Sequence, residues 1–366
     1  MLSDDRRRPL GLMATLVRFA AIGAILSAAA ALFGFVGGWF NPGRLTQDRF
    51  MAAFEAHDGK HPGFRRNHAK GICVTGWFDA ATDATTWSKA AIFRLQHVPL
   101  VGRFALAGGM PFAADEAATV RSMALRFLPI AGEEWRTGMN DIPVFPVNSN
   151  AAFYAQLQAS APDPATGKPK PDAMKDFLDE HPESARALQL IKARPISSGF
   201  ADDTYNSLNA FTMTNAAGSS VAVRWAAVPL QPFAGDAAAP AGTDKNYLFD
   251  DLTKQIALHP LKWHLVLTLA EAADSTRDAT LPWPKERRQA VAGTVTIARA
   301  MSEETGACND VNYDPLVLPE GISASDDPLL AARSSVYARS FTLRSAEKSD
   351  KPPSAIGPTE IGGSRP

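Results

Sequence analysis

Three segments of the chain carry side chains whose types and spacing suit proton transfer and the binding of a metal or an anion. Arg65-Arg66-Asn67-His68-Ala69-Lys70-Gly71 sets one imidazole in a basic turn at the start of a β-prone run. An imidazole titrates near ~6.5, so around neutrality it takes a proton from one atom and returns it to another. The segment Trp135 to Phe145 contains Asn140-Asp141-Ile142-Pro143, and a carboxamide in such a place donates an N–H to developing negative charge. Arg333-Ser334-Ser335-Val336-Tyr337 puts a guanidinium at i−4 from a phenol. On a helix the two share one face, with the guanidinium in reach of the phenol oxygen. Phenols ionise near ~10, and a neighbouring cation favours the phenolate. A solvated basic helix with a half-buried tyrosine fits the same spacing. The other histidines, His57, His61, His97, His181, His259 and His264, lie in no comparable motif.

Regular elements must bring these segments together. Phe50, Ala53, Phe54 and His57 follow helical spacing, which Gly59 ends. β-prone runs span Gly71 to Phe78 and Ser88 to Leu106, broken by Pro99, Gly102 and Gly108-Gly109. Lys170 to Phe177 and Pro182 to Ala193 read as helices, the second opened by Pro182 and Glu183. Strand character returns at Phe200 to Thr214, Ser220 to Val228, Leu261 to Leu269 and Val291 to Ala300. The stretch around residue 160 and Phe233 to Thr243 read as surface loops. Without repeats, heptads or an internal linker, this pattern fits one large antiparallel barrel with added helices better than two domains.

The 366 residues are 46% hydrophobic and 20% charged, enough apolar material for a real core, and the net charge of −1 gives no field to attract nucleic acid. From Phe19 to Phe40 there is no charge, and Arg6-Arg7-Arg8 precede. That length crosses a bilayer, and the positive flank predicts an N-in orientation with the rest of the chain exported. A cleaved signal peptide ending near Ala28-Ala29-Ala30 is the competing reading. Ser345 to Pro366 is rich in Ser, Pro, Gly and Lys and reads as a disordered tail. Cys73 and Cys308 are the only cysteines; export permits a disulfide, and two buried free thiols are the plainer reading.

Taken in order, the three segments resemble the motifs of the heme catalase family: R-x-x-H-A-K-G, G-N-N-T-P-x-F, and R-x-x-x-Y with a further Arg seven residues on. Val101-Gly102-Arg103-Phe104, Arg126-Phe127, Pro182-Glu183-Ser184, Tyr313-Asp314-Pro315 and Pro319-Glu320-Gly321-Ile322 extend the likeness collinearly from Arg65 to Arg344. The short length looks like the minimal branch, the catalase-related peroxidases. The resemblance implies an α+β fold with a catalase-like antiparallel β-barrel core and surrounding helices. Residues 1–40 would be the transmembrane anchor or signal segment, 41–344 the heme-binding domain and 345–366 the tail.

It also implies a ferric heme b with Tyr337 as iron ligand and a high-valent oxo intermediate. His68 and Asn140 would be catalytic; Arg65, Arg103, Phe145, Phe153, Arg333 and Arg344 would surround the cofactor. The activity implied is reduction of organic peroxides or hydrogen peroxide by a small organic donor, in a monomer or small homo-oligomer; the N-terminal segment would place it on the periplasmic side of a bacterial inner membrane, or in the periplasm if cleaved. True catalase activity, and a heme-binding or hydroperoxide-rearranging protein, are the alternatives. Two departures stand out. The family's N-T-P is one residue longer here, so aligning on Pro143 would put Asp141 in place of Asn140. The serine that usually follows V-R-F is Ala105, which would leave His68 without its orienting partner. Both departures point away from dismutation.

Overall fold

The computed structural model describes residues 11–37, 39, 43–130, 132–235, 245–348 and 353–361. The chain divides into two compact units, Met1–Thr46 and Gln47–Pro366. In the first, helix α1 (Leu12–Val36) is 25 residues long, exposed at nearly every side chain, with a mean hydropathy of 2.2 over its most apolar 18 residues. At 1.5 Å per residue it is long enough to cross a membrane by length and composition alone. It begins before Arg18 and so includes that cation. The arginines at positions 6–8 lie outside the described residues.

The second unit is a barrel. Its strands are β1 (Gly71–Ala80), β2 (Val98–Leu106), β3 (Arg121–Ile130), β4 (Glu133–Asn140), β5 (Tyr205–Asn206), β6 (Phe211–Thr214), β7 (Ser220–Pro229), β8 (Leu261–Leu269), β9 (Gln289–Met301) and β10 (Ile322–Ala324). Eight of them close a ring in the order β7-β5-β4-β3-β2-β1-β9-β8, with β8 pairing back onto β7, and β6 and β10 continue from β7. Every pairing is antiparallel. Alternation explains the strands: in β8, Leu261, Trp263, Leu265, Leu267 and Leu269 are buried, with more accessible residues between. Side chains such as Phe78, Phe104, Phe127, Trp135, Trp225 and Trp263 fill the interior, as an eight-stranded barrel allows. Where β1 meets β9 at a register shift, Gly76 is required, since a Cβ there would lie 1.8 Å from the Thr296 carbonyl oxygen.

Helices α2 (Gln47–Asp58), α3 (Asn150–Ser160), α4 (Ala173–Glu180), α5 (Pro182–Lys192), α6 (Tyr247–Leu258), α7 (Pro328–Ala346) and the one-turn α8 (Pro358–Ile361) complete the unit. Asp327 caps α7 by accepting the Leu329 N–H at 2.9 Å, and Pro328 opens its first turn.

Several sequence expectations change. Ser88 to Arg94 is not strand: the Ser88 hydroxyl bonds Gly321 and Ala90, pinning a tight turn before β2. The run Phe200 to Thr214 splits into β5 and β6 at Leu208, whose φ of 66° breaks the extended backbone. Cys73 and Cys308 are joined in a disulfide, with Cα atoms 5.3 Å apart. The tail is also corrected. Ala355 and Ile356 are buried, and Ser302 bonds both the Ser354 hydroxyl and the Ile356 carbonyl at 2.8 Å. A few apolar residues in a Ser/Pro-rich stretch are enough to dock it. Of the expected loop over Phe233 to Thr243, residues 236–243 lie outside the described set, as do 349–352 and 362–366.

Candidate active site

A cavity of about 170 Å³ lies between the outer face of β2–β4 and helices α2, α3 and α7. All nine residues singled out from the sequence line it: Arg65, His68, Arg103, Asn140, Phe145, Phe153, Arg333, Tyr337 and Arg344.

Sheet register builds the first wall. Ala105, Ser122 and Asn140 stand directly opposite one another on β2, β3 and β4, so their side chains share one face. The neighbouring row, Phe104, Met123 and Met139, is fully buried on the other face, in the barrel core. Ala124 and Gly138 form a floor of small residues on the cavity side.

His68 sits just before β1 with φ of 55°, a conformation unusual for a non-glycine residue and held by its neighbour. The Asn67 side-chain oxygen accepts both the His68 N–H at 2.8 Å and the Gly108 N–H at 2.9 Å. Burial pushes the His68 imidazole down to about 3, and the charges of Arg103, Arg333 and Arg65 act in the same direction. The ring is therefore neutral across the physiological range. Its Nδ1 lies 3.2 Å from the Ser122 hydroxyl. His68 does have a hydroxyl partner despite Ala105, supplied by the next strand.

Asn140 and Asp141 differ in their surroundings. The oxygen of its side-chain amide is buried without a protein partner in a residue that lines the cavity. Asp141 is occupied elsewhere: one oxygen accepts the Arg121 N–H at 3.0 Å and the other meets Arg194 at 3.4 Å. The extra residue of this segment is absorbed beyond Asn140, where Asn206 donates to the Ile142 carbonyl at 3.1 Å.

One helix builds the second wall. Arg333 and Tyr337, a turn apart on α7, meet at 3.3 Å between the guanidinium and the phenol oxygen. Arg333 also donates to the Asn209 side-chain oxygen, and the Asn209 amide donates to Asp327 at 2.7 Å. Asn209 is fully buried beside the strained Leu208. Sequence reasoning missed it, since no motif surrounds it. Phe145 packs under Arg333, and Phe153 stacks on Phe50 of α2.

The remaining end is cationic. Arg103 and Arg65 reach a single carboxylate, Glu303, and the charge of Arg344 acts on it from further off; the sequence did not single this residue out. Arg103 grips Glu303 through two bonds of 2.8 and 2.9 Å. Burial and then Arg103 lower Arg65 to about 10; burial and then Arg65 lower Arg344 to about 9. Burial alone would raise Glu303, and the surrounding arginines outweigh it and hold it below the usual carboxylate range. The Nε atoms of Arg65 and Arg344 are buried and make no hydrogen bond. Three cations against one anion, with donors to spare, form a site for a group carrying two negative charges.

A family profile described as Catalase matches residues 45–353. The chain is 36% identical over 324 residues to the catalase-related peroxidase of Synechococcus elongatus, covering 87% of this chain and 94% of that one. It is 32% identical over 304 residues to the catalase-related peroxidase of Mycolicibacterium paratuberculosis, covering 82% and 96%. Among solved structures, a fungal catalase superposes with a TM-score of 0.70 at 20% identity, over 78% of this chain and 60% of that one. A bacterial catalase gives 0.68 at 22% identity, over 78% and 58%. These likenesses show the fold, and this chain spans about 60% of the length of those structures. Matched over most of its length by the family profile and at nearly full length by two relatives, the chain belongs to the catalase family.

Proposed function

We propose that the protein is a heme-dependent peroxidase that reduces organic peroxides or hydrogen peroxide with an external organic donor. The observation that carries this reading is a hydroxyl-bonded His68 in the same cavity as the Arg333–Tyr337 pair. The residues present suit a heme. The Tyr337 phenolate would hold the iron, favoured by Arg333, and Arg65, Arg103 and Arg344 would hold the propionates. Phe145 and Phe153 supply apolar walls. When bound, the heme supplies an iron that stores the two oxidising equivalents taken from the peroxide.

The chain's own groups handle the protons. His68 takes the proton from one peroxide oxygen and returns it to the departing one. The Asn140 carboxamide donates an N–H to the oxygen on which charge develops. Overall one peroxide accepts two electrons and two protons and leaves as an alcohol and water, or as two waters. Helix α1 is read as the export device that carries this domain to the periplasmic side of a bacterial membrane; a reporter fused after residue 46 that stays cytoplasmic overturns that.

Dismutation is the second reading, and a specific observation favours it. The two sequence departures that argued against it, Ala105 and the longer Asn140 segment, are offset by the Ser122 hydroxyl on His68 and by the engagement of Asp141 with Arg121 and Arg194. The preference for an external donor rests on the nearly full-length relatives named catalase-related peroxidase. Oxygen evolution and donor oxidation measured on the same heme-loaded sample decide between them. Donor oxidation is expected to be the faster, and oxygen release far exceeding it overturns the reading.

A further inference from the structure

Ser122 Oγ lies 3.2 Å from His68 Nδ1 and 3.3 Å from the Ala105 carbonyl oxygen. A carbonyl only accepts, and a serine hydroxyl carries one proton. With that proton directed to Ala105, the Ser122 oxygen is left with lone pairs, and among the described residues the complementary partner for them is a protonated Nδ1. From this geometry we infer that Ser122 is the positioning residue that fixes His68 as its Nδ1–H tautomer, leaving the lone pair on Nε2 to take the peroxide proton. This rests on the peroxidase reading and specifies which nitrogen of its base does the work.

The surroundings fit that role. Ser122 is buried, and its hydroxyl has no other partner among the described residues. Its two neighbours across the sheet are Ala105 and Asn140, on the same face. One register row therefore carries both the hydroxyl that orients the base and the carboxamide that faces the peroxide. Adjacent strands lie about 4.7–4.9 Å apart. A hydroxyl placed on Ala105 would thus stand one strand to the side of Ser122, on the face where the imidazole lies.

That neighbourhood supplies the test. On heme-loaded protein, Ser122→Ala is expected to slow the reaction with peroxide roughly 10–100-fold, as loss of an orienting partner does, with the heme absorption spectrum unchanged. Ala105→Ser in the Ser122→Ala background is expected to recover most of that loss, by returning the hydroxyl from β2. Adding Ser122→Ala to His68→Ala should cost nothing more, since the serine acts only through the imidazole. An unchanged rate in Ser122→Ala, a loss that Ala105→Ser does not recover, or an additive loss in the His68→Ala background each overturns the assignment. If Ser122→Ala does not fold, the comparison moves to Ser122→Thr, which keeps the hydroxyl and is expected to retain activity; an inactive, correctly spectral Ser122→Thr overturns it. Failure of the peroxidase reading looks different, since the unsubstituted heme-loaded protein would then release oxygen far faster than it oxidises a donor, or turn over no peroxide at all.

Discussion

Tyr337, Arg333 and Arg344 reach the cavity from a single helix, α7, whereas His68, Ser122 and Asn140 reach it from a loop and two strands far apart in the chain. On the helix, geometry follows from spacing: residues four apart share a face, which brings the phenol within reach of its guanidinium. On the sheet, geometry follows from register, and a slip of one residue would turn Ser122 and Asn140 into the barrel core. The helix wall is thus locally determined and the sheet wall globally determined. A functional atom on the sheet is tied to a place in the lattice rather than to a place in the sequence.

Substitutions should separate the two walls. The largest effect is expected on the helix, where Tyr337→Phe removes the proposed iron ligand and should abolish peroxide reduction and alter the heme absorption spectrum. His68→Ala on the opposite construction should lower the rate by about 10²–10⁴-fold while leaving that spectrum intact. An unaltered spectrum in Tyr337→Phe would remove the ligand assignment. Asn209→Leu, which strands Arg333 and Asp327 without their shared partner, is expected to cost about 1–3 kcal/mol in denaturant melts and to weaken heme retention; full retention would show the helix wall to be as self-sufficient as its spacing implies. The smallest effect is one of pH. A free imidazole loses its basic form below ~6.5, but His68, held down to about 3, stays neutral. The rate of the peroxide step should therefore show no acid limb with a midpoint near 6.5. Such a limb, absent in His68→Ala, would mean the ring is not desolvated in the working enzyme.

The same contrast explains what could be read from the sequence. His68, Asn140, Arg333 and Tyr337 stand in compact motifs, and the barrel was legible in its alternating runs. Ser122 was not, because its neighbour Ala105 is adjacent across a strand pair and distant along the chain. Asn209 and Glu303 act through Arg333 and Arg103, and nothing in their own surroundings marks them. The helix Gln47–Asp58 was visible in its periodicity, yet that its Phe50, Met51 and Phe54 line the cavity depends on packing against α3 and α7. The C-terminal stretch was misread because average composition hides a few docking residues.

Strand β1 has one more consequence, in time rather than in space. One of its edges pairs with β2 soon after synthesis, but the other waits for β9, and Cys73 waits for Cys308, both more than two hundred residues later. At roughly 5–20 residues per second that is a delay of about 10–40 s. Throughout it the nearly uncharged edge Gly71–Ala80 stays open to strands of other chains. Yield of the folded protein should accordingly depend on what shields that edge before the barrel closes.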